Sequence, residues 1–443
     1  MFHPDKEPSI AVGLVEDVPA VSFDLRGEFM MNKTVLTSGA YEACAGRETI
    51  FLRSSKGREI CASPALRLFP ATPQATFTMH QVMIGKKFHW ERVCSQKFSG
   101  ELAIRLYQHG RLTAINNIFL EDYLVSVIAS EMSPDSPMEF LKAHCICSRS
   151  WLLHQLTVAS VGDQTGPKAD YRNREVMCWT GREAHCHFDV CADDHCQRYQ
   201  GIGHINEAAH RAVSETRGEV LIHNGVVCNA RYAKCCGGIT ELFSTAWDNI
   251  NVPYLQSTPD SWELLPFILT EREADQFIRS RPAAYCNIED RALIRRILPS
   301  FDAETRDFFR WQVVFSQDEL WHILHLKTGI DFGAITGIVP LCRGPSGRLF
   351  KVKICGTREE RVIGKELEIR RLLSPTHLLS SAFVVEPGAK DGDIPRSFTL
   401  YGAGWGHGVG LCQIGAASMA ERGMSYQEIL FHYFRGAQLK KLY

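Results

Sequence analysis

Residues 8–115 of this chain break into short apolar runs separated by Gly and Pro, a texture that admits strands and little else. Residues 8–24 (PSIAVGLVEDVPAVSFD) show it most clearly. Thr76–Met79 and Glu101–Tyr107 continue it. The texture changes at residue 118. From Leu120 to Glu131, apolar residues fall at 120, 123, 124, 127 and 128, a helical stripe, and Pro134 stops it.

A second helix is expected from Pro137 to Leu156, with Pro137 in a first-turn position. A short helix follows at Asn206–Glu215, with Asn206 as N-cap. Strand-like residues 219–223 and 226–230 flank Asn224-Gly225, the dipeptide of a type I′ hairpin. Residues 257–330 read as helical, with Thr270/Glu273 and Ser316/Glu319 matching capping boxes. Strands return at 335–385, and 387–396 reads as a polar loop. The tail holds a Gly-rich segment at 402–410 and helices at 411–421 and 426–434, the last capped by Ser425 and Glu428.

The fold class is therefore α+β. A β-rich domain is expected at 1–95, a mixed region at 96–256, a helical insertion at 257–334, and strands, Gly-rich loop and terminal helices at 335–443. At 443 residues the chain equals about three average domains, enough to bury a core without staples.

The composition excludes several classes. Hydrophobic residues make up 45% and charged residues 22%, which argues against disorder, collagen and coiled coil. The formal net charge of −1 argues against a nucleic-acid-coating protein. No window reaches the roughly 18 apolar residues of a membrane span. The start, Met1-Phe2-His3-Pro4-Asp5-Lys6-Glu7, carries no secretory signal pattern.

Sixteen cysteines stand out. Cysteines 44, 61, 94, 228, 286, 342, 355 and 412 are scattered singly and read as small buried hydrophobes. Cys235 and Cys236 are adjacent. Between 185 and 196 lie His185, Cys186, His187, Cys191, His195 and Cys196, a set with the ligand types zinc prefers. An unoccupied cluster or a Cys191–Cys196 disulfide is the competing reading.

Three segments carry chemistry. The first runs from Leu120 through Ser130-Glu131-Met132-Ser133 to Leu141-Lys142-Ala143 and Ser148-Arg149-Ser150. Glu131 ends a helix beside a loop, a better place for an active group than a mid-helix surface. Its bland alternative is an ordinary solvated glutamate. Lys142 and Arg149, seven residues apart, share a helix face and read either as anion or carbonyl binders or as ties for the preceding loop. The second segment runs from Cys196-Gln197-x-Tyr199-Gln200-Gly201 through Tyr232 to Gly237-Gly238-x-Thr240-Glu241. Gly-Gly reads as a tight turn, with Thr240 and Glu241 expected beside a cleft. The third is Gly404-Trp405-Gly406-His407-Gly408-Val409-Gly410, with Gln413 beyond it. It lacks the spacing and the Lys of a phosphate loop. Alternating glycines permit positive φ or close approach to a ligand. Trp405 then offers an aromatic face, and His407 and Gln413 offer hydrogen-bonding groups, to a ligand. A core Trp and a structural His are the alternatives.

In order and spacing, these segments resemble the SpoIID/LytB family, named for stage II sporulation protein D and the amidase enhancer. The fit extends from about residue 95 to the end and includes Ser346-Gly347-Arg348 and Leu379-Ser380-Ser381-x-Phe383. The resemblance implies a mixed fold around a substrate cleft and a lytic transglycosylase acting on peptidoglycan glycan stripped of stem peptides. It makes Glu131 the catalytic acid, and Lys142, Arg149, Gln197, Tyr199, Tyr232, Thr240, Glu241, Trp405, His407 and Gln413 candidate substrate contacts. A general acid working near neutral pH needs a partly apolar pocket. One carboxyl suffices, because the sugar's own 6-hydroxyl closes onto C1 and gives a 1,6-anhydro end.

The family's zinc pattern of one His and two Cys maps to His185, Cys191 and Cys196, with His187 competing and Cys186 or His195 able to complete the shell, as a structural site. LytB-type members are described instead as amidase modifiers, so a glycan binder serving a cell-wall amidase is the alternative function. The family also implies the cell envelope or periplasm. Lys234-Cys235-Cys236 departs from the small hydroxyl residues usual there. A metal-dependent hydrolase ranks last, because no H-E-x-x-H helix accompanies the His/Cys cluster.

Overall fold

The computed structural model describes residues 6–86, 88, 90–107, 110–158, 169–179, 185, 187–300, 302–305 and 307–443. Its helices, in chain order, are α1 Leu120–Glu131, α2 Met138–Val158, α3 Glu207–Glu215, α4 Phe243–Ala246, α5 Glu271–Arg279, α6 Arg291–Ile297, α7 Gln317–Thr328, α8 Glu366–Leu372, α9 Gln413–Glu421 and α10 Tyr426–Tyr433. The class is mixed α+β with a β-rich N-terminal part, as the strand texture predicts. The chain forms two compact units. One gathers Met1–Asp135, Arg182–Glu219 and Lys441–Tyr443; the other gathers Ser136–Gly181 and Val220–Lys440.

In the first unit, Ser9–Val18 pairs antiparallel with Arg111–Phe119, which pairs onward with Glu101–Tyr107 in one sheet. A second sheet centres on Ala20–Arg26 and Thr76–Ile84. In Ala20–Arg26 the alternation places Val21, Phe23 and Leu25 inside. Stacked rings continue from this core to α1: Phe77 on Phe98 with centroids 5.5 Å apart, Phe98 on Tyr199 at 5.6 Å, and Tyr199 on Tyr123 at 5.1 Å. Such pairs add about 0.5–1.5 kcal/mol each beyond area burial. They fix the helix that ends at Glu131.

Helix α1 departs from its amphipathic sequence pattern. Apart from Asp122, every one of its residues is buried. Its polar positions are enclosed because they are satisfied internally. Ser126 Oγ donates to Gly201 O at 2.7 Å, and Ser130 Oγ donates to Ser126 O at 2.7 Å.

In the second unit, Ser397–Ala403 is the centre of a three-stranded sheet between Arg310–Ser316 and Phe383–Pro387. Residues 310–316, expected within a helical stretch, are therefore a strand; the Trp311 and Phe315 side chains join the core. Ile335–Arg343 and Leu349–Gly356 form the expected hairpin around residues 344–347. Residues 387–396, expected as a loop, contain a minimal ladder of Lys390–Asp391 with Ile394–Pro395. Capping boxes form at Thr270, Ser316 and Ser425, each closed by the glutamate three residues on. Asn224 and Gly225 both take positive φ, as a type I′ turn requires.

Candidate active site and metal centre

Glu131 is the last residue of α1 and is 7% exposed. Its Oε1 accepts the backbone N–H of Arg198 at 3.0 Å. The adjoining Gln200 N–H donates to Ser130 Oγ at 3.2 Å, so segment 198–200 is fastened along the end of the helix. The Arg198 side chain turns away from that contact. Its Nε donates to Asp194 Oδ1 at 2.5 Å, and its guanidinium lies 4.3 Å from the Trp90 ring centroid. Burial pushes the Asp194 carboxyl up to about 7 against the pull of Arg198.

Gln197 and Tyr199 are interior. Tyr123 O–H donates to Gln197 Oε1 at 3.1 Å, and Tyr199 O–H donates to Asn116 Oδ1 at 2.5 Å. Both side chains are at most 1% exposed, so in this structure they brace α1 rather than present a surface to a ligand.

The His/Cys cluster folds into one place. Ligand atoms of His185, Cys191, His195 and Cys196 all lie within 4.8 Å of one another. His185 Nε2 and His195 Nδ1 are 3.1 Å apart, and Cys196 Sγ is 3.3 and 3.4 Å from them. The Cys196 contact first, and then both histidines, overcome burial and pull the Cys191 thiol well below its usual range. Two thiols and two imidazoles match a tetrahedral zinc set. His187 stands outside this group, with its ring edge-on to Tyr107 at 5.0 Å. His185 is the histidine beside the two cysteines, and His195 stands as the fourth member. Cys186 lies outside the described residues.

The remaining sequence candidates belong to the second unit. Lys142 Nζ pairs with Glu139 Oε1 at 3.1 Å. Arg149 is fully buried and donates to Cys145 Sγ at 3.3 Å. Glu241 is fully buried too. Its carboxylate accepts from the Leu242 and Ser346 amides and from the hydroxyls of Thr245 and Ser346. Thr240 Oγ1 accepts the Thr258 N–H at 2.8 Å. Both Thr240 and Glu241 are buried and tied internally by these bonds.

Trp405 is buried, with Lys234 Nζ 6.0 Å from its ring centroid. His407 is half-buried. Its Nδ1 accepts the Val409 N–H at 3.0 Å, and its ring meets Trp247 edge-on at 4.8 Å. Burial first, then Arg231, Arg348 and Arg370, hold its imidazolium far below the usual range. Gln413 Nε2 lies 3.2 Å from Nε2 of buried His144, whose ring meets half-buried Tyr232 edge-on at 4.7 Å. Burial, helped by Lys234, drives His144 down to about 3, so it is neutral.

Two of the alternating glycines, Gly404 and Gly408, approach a buried arginine, Arg348. Gly404, Gly406, Gly408 and Gly410 all take positive φ, and a Cβ on Gly408 would sit 2.5 Å from Arg348 Cζ. Arg348 Nε donates to Gly406 O at 3.0 Å, Nη1 to Cys236 O at 2.9 Å and Nη2 to Cys235 O at 3.3 Å. Sequence reasoning quoted Arg348 only as part of a matching segment. The signal that points to it is the demand of a glycine-rich loop for a planar, multi-donor partner.

Residues 108–223 match the family model for stage II sporulation protein, SpoIID. That stretch is the SpoIID-like region of the chain. Three relatives extend the likeness beyond it. An uncharacterized protein of Brachyspira hyodysenteriae is 24% identical over 328 residues, covering 74% of this chain and 68% of the relative. Stage II sporulation protein D of Bacillus amyloliquefaciens is 22% identical over 338 residues, 74% of this chain and 76% of that one. The amidase enhancer of Bacillus subtilis is 25% identical over 340 residues, 71% of this chain but 40% of the relative. Together these support the SpoIID/LytB family.

The SpoIID region contains Glu131, Lys142, Arg149, Gln197, Tyr199 and the whole His/Cys group. Tyr232 and Gln413 lie outside it. Residues 241–410 match a second family model, described as a domain of unknown function (DUF8618). Glu241, Trp405, His407 and Arg348 fall there. Among the described residues, no helix is long and apolar enough to cross a membrane.

Proposed function

We propose that this protein is a peptidoglycan lytic transglycosylase of the cell envelope, with Glu131 as general acid and then base. The observation that carries the reading is the setting of Glu131 within the SpoIID region: a nearly buried carboxyl at a helix end, placed by the Arg198 amide. In the proposed cycle Glu131 gives its proton to the glycosidic oxygen, and the C1–O bond breaks. The 6-hydroxyl of the same sugar closes onto C1, and its proton returns to the Glu131 carboxylate. No water is consumed and a 1,6-anhydro end results. A zinc ion held by His185, Cys191, His195 and Cys196 would brace loop 185–200, from which the Arg198 amide reaches Glu131.

A second reading is a glycan-binding enhancer of an amidase. The likeness to the amidase enhancer of Bacillus subtilis supports it. Incubating denuded glycan strands with wild type and Glu131→Gln separates the two. Anhydro-ended fragments from wild type alone support the enzyme. Glycan binding with no fragments from either protein supports the binder.

A further inference from the structure

Three cysteines and an aspartate that look unrelated in sequence converge in the second unit. Tyr232–Ala233 pairs in parallel with Leu411–Cys412, which brings the residues following Ala233 beside Cys412. Asp260 N–H bonds back to Gly238 O at 2.8 Å, and the Tyr285 N–H donates to Asp260 O at 2.9 Å. One ligand atom from each of Cys236, Asp260, Cys286 and Cys412 lies within 4.8 Å of the others, and all four residues are buried.

We propose that Cys236, Asp260, Cys286 and Cys412 form a second, thiolate-rich metal site that takes a zinc-class dication. It is distinct from the His185–Cys196 group, which belongs to the other unit. Three sulfurs and one carboxylate oxygen suit zinc rather than calcium or magnesium. On binding, the ion displaces the three thiol protons to solvent, and the resulting negative charge has partners already in place. Cys236 N–H and Gly415 N–H donate to Cys412 Sγ at 3.2 and 3.4 Å, and Gly238 N–H donates to Cys236 Sγ at 3.4 Å. Neutral thiols are weak acceptors, so three amides aimed at two sulfurs match thiolates better. Cys412 also caps the N-terminus of α9, where the helix dipole favours negative charge.

The carboxylate is oriented as well. Tyr433 O–H donates to Asp260 Oδ1 at 2.7 Å, and His432 Nε2 lies 3.3 Å from the same oxygen. Oδ2 faces Cys236 Sγ at 3.2 Å. This is the outer arrangement that holds a metal-ligating carboxylate. Gly415 makes room for it: a Cβ there would fall 2.4 Å from Asp260 Oδ2. Four protein ligands leave no open position, so the site is structural. It would pin Cys236, the 260 and 286 loops and the start of α9 to one point.

The test is elemental analysis of the full chain carrying Cys191→Ser and Cys196→Ser, which removes the first group. The proposal expects that protein to keep about one equivalent of zinc and a further Cys286→Ser to lose it. Should the Cys286 variant fail to fold, cobalt exchange into the double variant gives the same answer. Sulfur-to-cobalt charge-transfer bands with tetrahedral d–d bands support the site. A double variant that holds neither metal, or an intact mass two hydrogens light that marks a disulfide, overturns it. None of these readouts depends on glycan cleavage.

Discussion

The amide of Arg198 donates to Glu131 Oε1 at 3.0 Å, so backbone geometry itself places the carboxyl at the end of α1. An amide oxygen in the same position accepts the same hydrogen. Glu131→Gln is therefore expected to fold with nearly unchanged thermal stability. Its loss of activity would then report chemistry rather than collapse.

Asn206 links a helix cap to the loop after Glu131. Its Oδ1 accepts the Ala209 N–H at 3.0 Å, and its Nδ2 donates to Asp135 Oδ1 at 3.1 Å. Asn206→Ala should cost about 1 kcal/mol of stability by urea unfolding, the usual value of an N-cap. Asn206→Asp should keep the cap but replace the donor by a carboxylate facing that of Asp135, and so lower glycan turnover. Equal turnover in wild type and Asn206→Asp would show that the loop needs no such tie.

Arg348 is the hub of the Gly-rich segment. Removing it leaves the carbonyls of Cys235, Cys236 and Gly406 without this donor. Cys235 O keeps the Trp405 N–H, so two carbonyls are left short of a partner; at about 1–3 kcal/mol each, Arg348→Met should lose about 2–6 kcal/mol. Arg348→Lys should not recover it, because an ammonium cannot reproduce the planar fork. Chemical unfolding of both variants checks this.

His144 gives a pH signature. Its folded value near 3 lies below the unfolded 6.5, so between those values the unfolded chain binds the extra proton. Its contribution is fully present above pH 6.5 and is lost as pH falls toward 3. Linkage gives about 2 kcal/mol between pH 7.5 and 5. Tm measured across that range should fall more steeply for wild type than for His144→Gln. Parallel curves would contradict a buried neutral imidazole.

Zinc content discriminates between His195, which belongs to the first metal group, and His187, which stands outside it. His195→Ala should release about one equivalent and lower Tm, whereas His187→Ala should release none. Elemental analysis of the two variants decides it, and loss of zinc from His187→Ala alone would reverse the assignment.

Much of this molecule is legible in its sequence because local rules act locally. The three capping boxes, the Asn206 cap and the Asn224-Gly225 turn depend on neighbours within a few residues, and all form as their patterns require. What escaped depends on long-range convergence. The stripe of α1 gave no warning that its polar face would also be enclosed, since Gly201 and Gln200 are distant in sequence. Cys286 and Cys412 read as isolated hydrophobes because nothing local ties them to Cys236. Arg310–Ser316 reads poorly as a strand because its partner, Ser397–Ala403, lies more than eighty residues away. Thr240, Glu241 and Trp405 carry groups suited to a ligand, yet the fold uses them inside.

The most direct test of the central claim is mass spectrometry of denuded glycan strands after incubation with the full chain. Fragments ending in 1,6-anhydro sugar, one water lighter than hydrolysis products, should come from wild type and vanish with Glu131→Gln. Anhydro fragments produced equally by both proteins would contradict the role assigned to Glu131.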